Sequence, residues 1–313
     1  MRNKYIISMF IFAFLLASCR QANQLELSKE QIEVDGVERT YYVHLPPNFD
    51  ENEPSPLVLA FHGGGGNAVH FDKGTGNTLV EAADERSMVV AFPDGLNNQW
   101  CDGRTEHIDE ERDCETVGDI AFVSALIDTM VADYGIDPAR VYATGISNGG
   151  FMSIRLALEL SDKIAAVAPV AAQLSVALED ESPQIPISMM LVNGTEDPIV
   201  PFDGGQVRLF SGGRSRGDVH ATSETIEKFA QFNHCSPTPE LVKLPDSDPD
   251  DGTTVETESY LGCDQGNEVI LVRVIGGGHT WPGGQQYLSE KIVGVASRDA
   301  NASEMILDFF LRH

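Results

Sequence analysis

Residues 140–160 read Arg140-Val141-Tyr142-Ala143-Thr144-Gly145-Ile146-Ser147-Asn148-Gly149-Gly150-Phe151-Met152-Ser153-Ile154-Arg155-Leu156-Ala157-Leu158-Glu159-Leu160. The first five form a short, apolar, β-prone stretch that predicts a buried strand. Phe151 to Leu160 is dense in helix formers and predicts a largely buried helix. Between them stands G-x-S-x-G, and strand, sharp turn and helix are the setting a nucleophile elbow needs. The flanking glycines let the turn tighten without Cβ clashes and lift the Ser147 hydroxyl over the end of a sheet. Glycine and serine are common in loops, so the motif alone also fits a plain turn before a helix.

A serine hydroxyl attacks only when a base removes its proton, so a histidine and an acid must follow. In α/β-hydrolase folds the order is Ser, then Asp or Glu, then His, each past the C-terminal end of a strand. The apolar run Ile187 to Val192 breaks at Asn193-Gly194-Thr195-Glu196-Asp197-Pro198. This puts Asp197 just beyond a buried strand, with Glu196 as its rival. Val269 to Ile275 predicts another strand, ending in Gly276-Gly277-Gly278-His279. Of the eight histidines, His279 is the one in position to reach Ser147.

A fourth part lies upstream, where Pro56 to Phe61 runs into His62-Gly63-Gly64-Gly65-Gly66-Asn67. The tetrahedral intermediate of acyl transfer carries an oxyanion that needs preorganised N–H donors. The amides of Gly64 and Gly65, with that of Asn148 after the nucleophile, are the candidates. A phosphate cradle is disfavoured because the glycine run lacks a following Lys-Ser/Thr.

With these parts in order, six stretches carry a resemblance. They are His62 to Asn67, Phe92-Pro93-Asp94-Gly95-Leu96-Asn97, Gly135 to Tyr142, Gly145 to Gly150, Asn193 to Pro198, and Gly277-Gly278-His279-Thr280-Trp281-Pro282-Gly283. Together they resemble the family of secreted feruloyl esterases and polyhydroxybutyrate depolymerases, over roughly residues 30 to 312. The resemblance implies an α/β-hydrolase fold with a triad of Ser147, Asp197 and His279. It leaves open hydroxycinnamate esters, acetylated xylan and bacterial polyesters as substrates.

The leader has a basic start at Arg2 and Lys4 and an apolar core from Tyr5 to Ala17, too short for a comfortable membrane span. It ends in Leu16-Ala17-Ser18-Cys19, which resembles a bacterial lipobox. Residues 1–18 then read as a lipoprotein-type signal peptide with Cys19 lipidated; ordinary cleavage with an unmodified Cys19 is the alternative. Residues 19–29 form a tether, and 30–313 one catalytic domain, since no repeat or Ser/Pro-rich linker divides it. Glu26 to Leu45 alternates around Asp35-Gly36 and predicts an edge hairpin. Strands then alternate with helical stretches such as Ile120 to Tyr134 and Thr222 to Phe232. That pattern predicts an α/β fold, with a mainly parallel sheet and helices on both faces.

Setting Cys19 aside leaves four of five cysteines, and export puts them in an oxidising compartment. Of three possible pairings, Cys101 with Cys114 and Cys235 with Cys263 each join segments near in sequence. Free buried thiols are the alternative. A net charge of −27 argues against nucleic acid and anionic lipid headgroups as partners of the protein body. It favours solubility and repulsion between copies. Asp246 to Gly252 resembles a calcium loop, but Asp251 and Thr257 stand where glycine and glutamate would be required. A hairpin turn at Asp251-Gly252 is the better reading, and no metal is expected. His107 to Glu115 reads as a solvated loop on the ligand-binding side of the sheet. Asn193 and Asn301 head glycosylation sequons, which a bacterial-type lipoprotein would not use.

The chemistry expected is hydrolysis of carboxylic esters through an acyl-enzyme on Ser147, without metal or organic cofactor. Activity should rise with pH as His279 loses its proton. Trp281 and Trp100 are expected to line the substrate cleft, their bulk suiting a feruloyl ring, a polyester chain or a sugar face. With no separate binding module in view, feruloylated or acetylated plant oligosaccharides are preferred to insoluble polyester granules. Two other classes stay open: a serine peptidase of the same fold, and a binding protein with dead chemistry.

Overall fold

The computed structural model describes residues 27–104, 114–210 and 212–313. The leader, Cys19 and most of the acidic segment 107–115 lie outside the described residues. The strands in chain order begin with β1 (Ser28–Val34), β2 (Val37–His44), β3 (Ser55–Phe61), β4 (Val89–Pro93), β5 (Ile136–Ile146) and β6 (Ala166–Val170). They continue with β7 (Ser188–Gly194), β8 (Gly205–Gln206), β9 (Asp218–Val219), β10 (Glu240–Lys243), β11 (Thr254–Tyr260) and β12 (Val269–Ile275). The helices are α1 (Ala68–Gly74), α2 (Thr78–Glu85), α3 (Cys114–Val117) and α4 (Asp119–Tyr134) in the first half. The second half holds α5 (Asn148–Glu159), α6 (Thr222–Phe232), α7 (Glu290–Val293) and α8 (Ala302–Phe310).

Among the described residues ten strands make one sheet, ordered β1-β2-β4-β3-β5-β6-β7-β12-β11-β10. The six from β4 to β12 run parallel, and antiparallel hairpins close both flanks. The first hairpin turns at Asp35-Gly36, both with positive φ (52° and 79°), as a two-residue type I′ loop demands. Its first strand starts at Ser28, so the last two residues of the expected tether, Ser28 and Lys29, lie in β1. The other hairpin passes through Gly252, at φ 75°. There Asp251 accepts from Thr253 N–H, and Asp299 from Ser247 and Asp248 N–H. Asp251 also accepts from Arg298 N–H and Asp248 pairs with the Arg298 guanidinium, so these carboxylates are engaged within the protein.

The parallel strands are hydrophobic without a break because both faces are covered. Along β3, Leu57, Leu59 and Phe61 point to one layer while Val58 and Ala60 point to the other. The first layer is built with Phe122 of α4, Phe151 of α5 and Phe229 of α6; the second with Phe71 of α1, Leu79 of α2 and Phe309 of α8. Each fully buried leucine or phenylalanine here contributes about 1.5–3 kcal/mol. Tyr142 of β5 stacks on Phe310 of α8 with centroids 4.8 Å apart, which fixes the last helix over the middle of the sheet. The architecture is the mainly parallel α/β-hydrolase sheet expected from the sequence.

Disulfides join Cys101 to Cys114 and Cys235 to Cys263, the pairing expected from the sequence. Bonds of this kind persist in oxidising compartments, which is where such a domain works. No helix among the described residues is long and apolar enough to cross a membrane. Asn193 is buried, bonded to both Ala172 main-chain groups and to the Thr222 hydroxyl. It ties β7 to its neighbours and offers no acceptor for a glycan.

Candidate active site

Ser147 stands between β5 and α5 with φ 56° and ψ −120°, a backbone conformation that costs a non-glycine residue about 1–3 kcal/mol. The surroundings enforce it. Ser147 N–H donates to Val170 O at 2.9 Å, and Ser147 O accepts the first helical bond, from Phe151 N–H at 2.8 Å. A Cβ on Gly149 would lie 2.0 Å from Phe61 O, so the elbow can pack against β3 only with glycine there. The turn lifts the serine out of the sheet and points the free amides at the start of α5 towards the same space.

The acid and the base come from β7 and β12, whose ends lie side by side. Thr195 N–H donates to Val274 O, Glu196 N–H to Gly277 O, and Gly276 N–H to the Thr195 hydroxyl, each at 2.9 Å. A Cβ on Gly194 would lie 2.3 Å from Gly277 O, so glycine permits this close approach. The stitching brings Asp197 Oδ2 within 2.7 Å of His279 Nδ1. Its other oxygen, Oδ1, accepts from Ile199 and Val200 N–H at 2.8 Å each. The carboxylate is thereby fixed as an acceptor, and the imidazole is oriented with its proton on Nδ1 and its lone pair on Nε2. Glu196, the rival acid, is exposed to solvent.

The glycine loop is pinned from below by His62, which is buried. His62 Nδ1–H donates to Gly63 O at 2.8 Å, and Nε2 accepts from Gly95 N–H at 3.0 Å. The bond accepted at Nε2 needs the neutral imidazole, and burial holds the His62 pKa below the ordinary histidine value. Gly65 N–H donates to Asn98 O at 2.8 Å, which narrows the two expected glycine donors to Gly64. A Cβ built on Gly64 would lie 3.6 Å from Asn148 Cβ, so the Gly64 and Asn148 backbones are neighbours.

Both tryptophans correct the expectation that they line the cleft. Trp100 is 0 % exposed and Trp281 2 %. Trp100 packs edge-on against Phe61 and donates from its indole to His62 O at 3.1 Å. Trp281 packs edge-on against Phe71 and donates to the Ser303 hydroxyl at 3.1 Å. Each indole N–H has a buried acceptor, and each ring packs against a core phenylalanine.

The aromatic residue beside His279 that stays open is Tyr287, 45 % exposed, with its hydroxyl donating to His279 O at 3.0 Å. Burial of the hydroxyl, with the Asp197 charge adding to it, pushes its pKa up to about 12. Sequence reasoning missed it because Gly283-Gly284-Gln285-Gln286-Tyr287 carries no period or motif. The polar cluster behind Asn148 was missed too, although Asp102 and Arg104, two residues apart after a buried-type Trp-Cys, were a signal.

A serine on a strained strand–helix elbow, a buried His–Asp pair at neighbouring strand ends and an adjoining glycine loop define a serine hydrolase of the α/β-hydrolase class. The model of the esterase PHB depolymerase family matches residues 39–224, and the chain belongs to that family of carboxylic ester hydrolases. It is 32 % identical over 286 residues to NocK of Nocardia uniformis subsp. tsuyamanensis, to which an esterase activity is ascribed. That match covers 90 % of this chain and 81 % of NocK. Feruloyl esterase D of Neurospora crassa is 27 % identical over 256 residues, covering 79 % of this chain and 75 % of its own. Among solved structures, acetyl xylan esterase from Aspergillus awamori superimposes with a TM-score of 0.58 at 14 % identity, covering 91 % of this chain and all of that one. At that identity the likeness speaks for the fold.

Proposed function

We propose that this chain hydrolyses feruloylated or acetylated plant-polysaccharide fragments through an acyl-enzyme on Ser147. His279 Nε2 takes the serine proton and returns it to the leaving alcohol, while Asp197 holds the imidazole and stabilises its charged form. The amides of Asn148 and Gly64 receive the oxyanion. The observation that carries this reading is the buried 2.7 Å Asp197–His279 pair on the sheet end that also presents the strained Ser147. Ser147→Ala should abolish turnover of a chromogenic short-chain ester; full activity in that variant would end the assignment. The same assay run with peptides tests the peptidase reading, and a dead site would show no turnover of either.

Similarity to feruloyl esterases supports the substrate class. A polyester reading is favoured by one observation: Leu288 and Ile292, in the segment that follows Tyr287, are apolar and exposed, a surface on which an apolar chain can lie. Rates on methyl ferulate, acetylated xylan and polyhydroxybutyrate granules separate the two. Granule clearing without ferulate hydrolysis would reverse the preference.

The anchor is part of the same proposal: Cys19 carries the lipid, and residues 20–27 connect it to β1. Two or more acyl chains give stable anchoring where one is marginal. Cys19→Ser should then release the exported enzyme or leave an unprocessed precursor. Wild-type protein free in the medium, with no lipid on its first residue, would remove the anchor and leave the esterase untouched.

A further inference from the structure

We propose that Trp100, Asp102 and the side chain of Asn148 form a clamp that sets the spacing of the two oxyanion donors. Asn148 needs only its main-chain N–H to serve as a donor, and any residue but proline supplies that. Its side chain is instead buried and heavily bonded. Oδ1 accepts from Trp100 N–H at 2.8 Å, while Nδ2 donates to Trp100 O at 3.0 Å and to Asp102 Oδ2 at 2.6 Å. The amide thus reads the loop after β4 as a strand partner would, with a charge-assisted bond added. The same Trp100 reaches the other donor loop, its indole N–H on His62 O. One residue therefore holds the elbow side by its main chain and the glycine side by its ring.

The clamp is itself held. Asp102 Oδ2 accepts from Arg104 Nη2 at 2.6 Å, and the Arg104 guanidinium lies 3.9 Å over the Phe151 ring of α5. Cys101 N–H donates to Asp119 Oδ2 at 2.7 Å, and Arg155 of α5 donates to Cys101 O at 2.5 Å. Polar groups this deep are costly unless every partner is present, and when satisfied they enforce one geometry. Oxyanion donors need that geometry: they act at about 2.7–3.1 Å from the developing charge, and a misplacement of about 1 Å costs on the order of 100-fold in rate. Trp100, Asp102 and the Asn148 side chain are positioning residues, none of which touches the substrate.

This rests on Ser147 as nucleophile and the Asn148 amide as an oxyanion donor. The test uses the exported enzyme and 4-nitrophenyl acetate, with Asn148→Ala, Asp102→Ala and the double variant. Each single variant should lose roughly 10- to 100-fold in kcat with KM within about twofold. The double should lose little more than the worse single, because both act through one amide. Affinity for a boronic acid that mimics the tetrahedral intermediate should fall in step with kcat/KM, while the pH profile set by His279 stays in place. Because Asp102→Ala leaves Arg104 buried, melting curves accompany every variant, and Asn148→Ala with the boronate decides the matter if Asp102→Ala does not fold. Asn148→Ala with kcat within threefold of wild type, or a rate loss without loss of boronate affinity, overturns the clamp. Failure of the underlying reading looks different: Ser147→Ala would remain active.

Discussion

Asp197 Oδ2 and His279 Nδ1 meet at 2.7 Å across 82 residues of sequence, and they do so because β7 and β12 are parallel neighbours. Their strand ends are bonded to each other before either side chain is considered, so the pair inherits its precision from the sheet. Asp197→Asn should therefore lower kcat by roughly 10³- to 10⁴-fold by spoiling the histidine tautomer. Glu196→Gln should stay within about twofold of wild type. Steady-state rates on one chromogenic ester decide between the two acids.

Glycine tolerance should differ sharply between two positions. Gly149→Ala drives a methyl to 2.0 Å from Phe61 O and should cost about 3 kcal/mol or more. Gly74 lies at the end of α1 with open space around its missing Cβ, so Gly74→Ala should gain about 0.5 kcal/mol. Urea melts read both.

The two disulfides should separate stability from rate. Each closes a short loop, spanning 13 and 28 residues, and removing either should cost about 3 kcal/mol on chain-entropy grounds. Cys101 lies between Trp100 and Asp102, so Cys101→Ala/Cys114→Ala should also lower kcat. Cys235→Ala/Cys263→Ala should leave kcat of the folded fraction unchanged.

His62 should make the domain acid-sensitive. Burial depresses its folded pKa, so below about pH 6.5, where a free imidazole takes up a proton, the unfolded chain binds more protons than the folded one. Stability is then fully present above that pH and is lost as pH falls towards the folded pKa. Tm measured from about pH 7 to about pH 5 should fall less steeply in His62→Gln than in wild type.

Aromatic selectivity should follow Tyr287 rather than the tryptophans. Tyr287→Ala should raise KM for methyl ferulate several-fold more than KM for a small acetyl ester. Trp281→Phe should lower Tm and leave the KM ratio of the two esters unchanged, because the indole has no exposed face.

The order and type of the main elements were legible because each parallel strand is a bounded apolar run and each candidate catalytic residue sits at the punctuation after one. Val269–Ile275 is a strand over the range its sequence suggests, and Gly276 marks its end. Side-chain direction was not legible. Nothing in the letters says whether a tryptophan after a strand faces a substrate or finds a carbonyl underneath, and Trp100 and Trp281 both took the second course. The choice between Gly64 and Gly65 was equally hidden, since it depends on Asn98 O, some thirty residues away, capturing one amide.

The flanks of the sheet bear on how the molecule behaves in a crowd. Among the described residues its outermost strands, Ser28–Val34 and the four-residue Glu240–Lys243, each leave a row of main-chain groups without a neighbouring strand. Lys29, Glu30 and Glu33 stud the first, and the second is too short to template much. Added to a surplus of 27 negative charges, these outer strands turn away edge-to-edge stacking. A hydrolase of this build can reach high local concentration without its sheets joining into fibres.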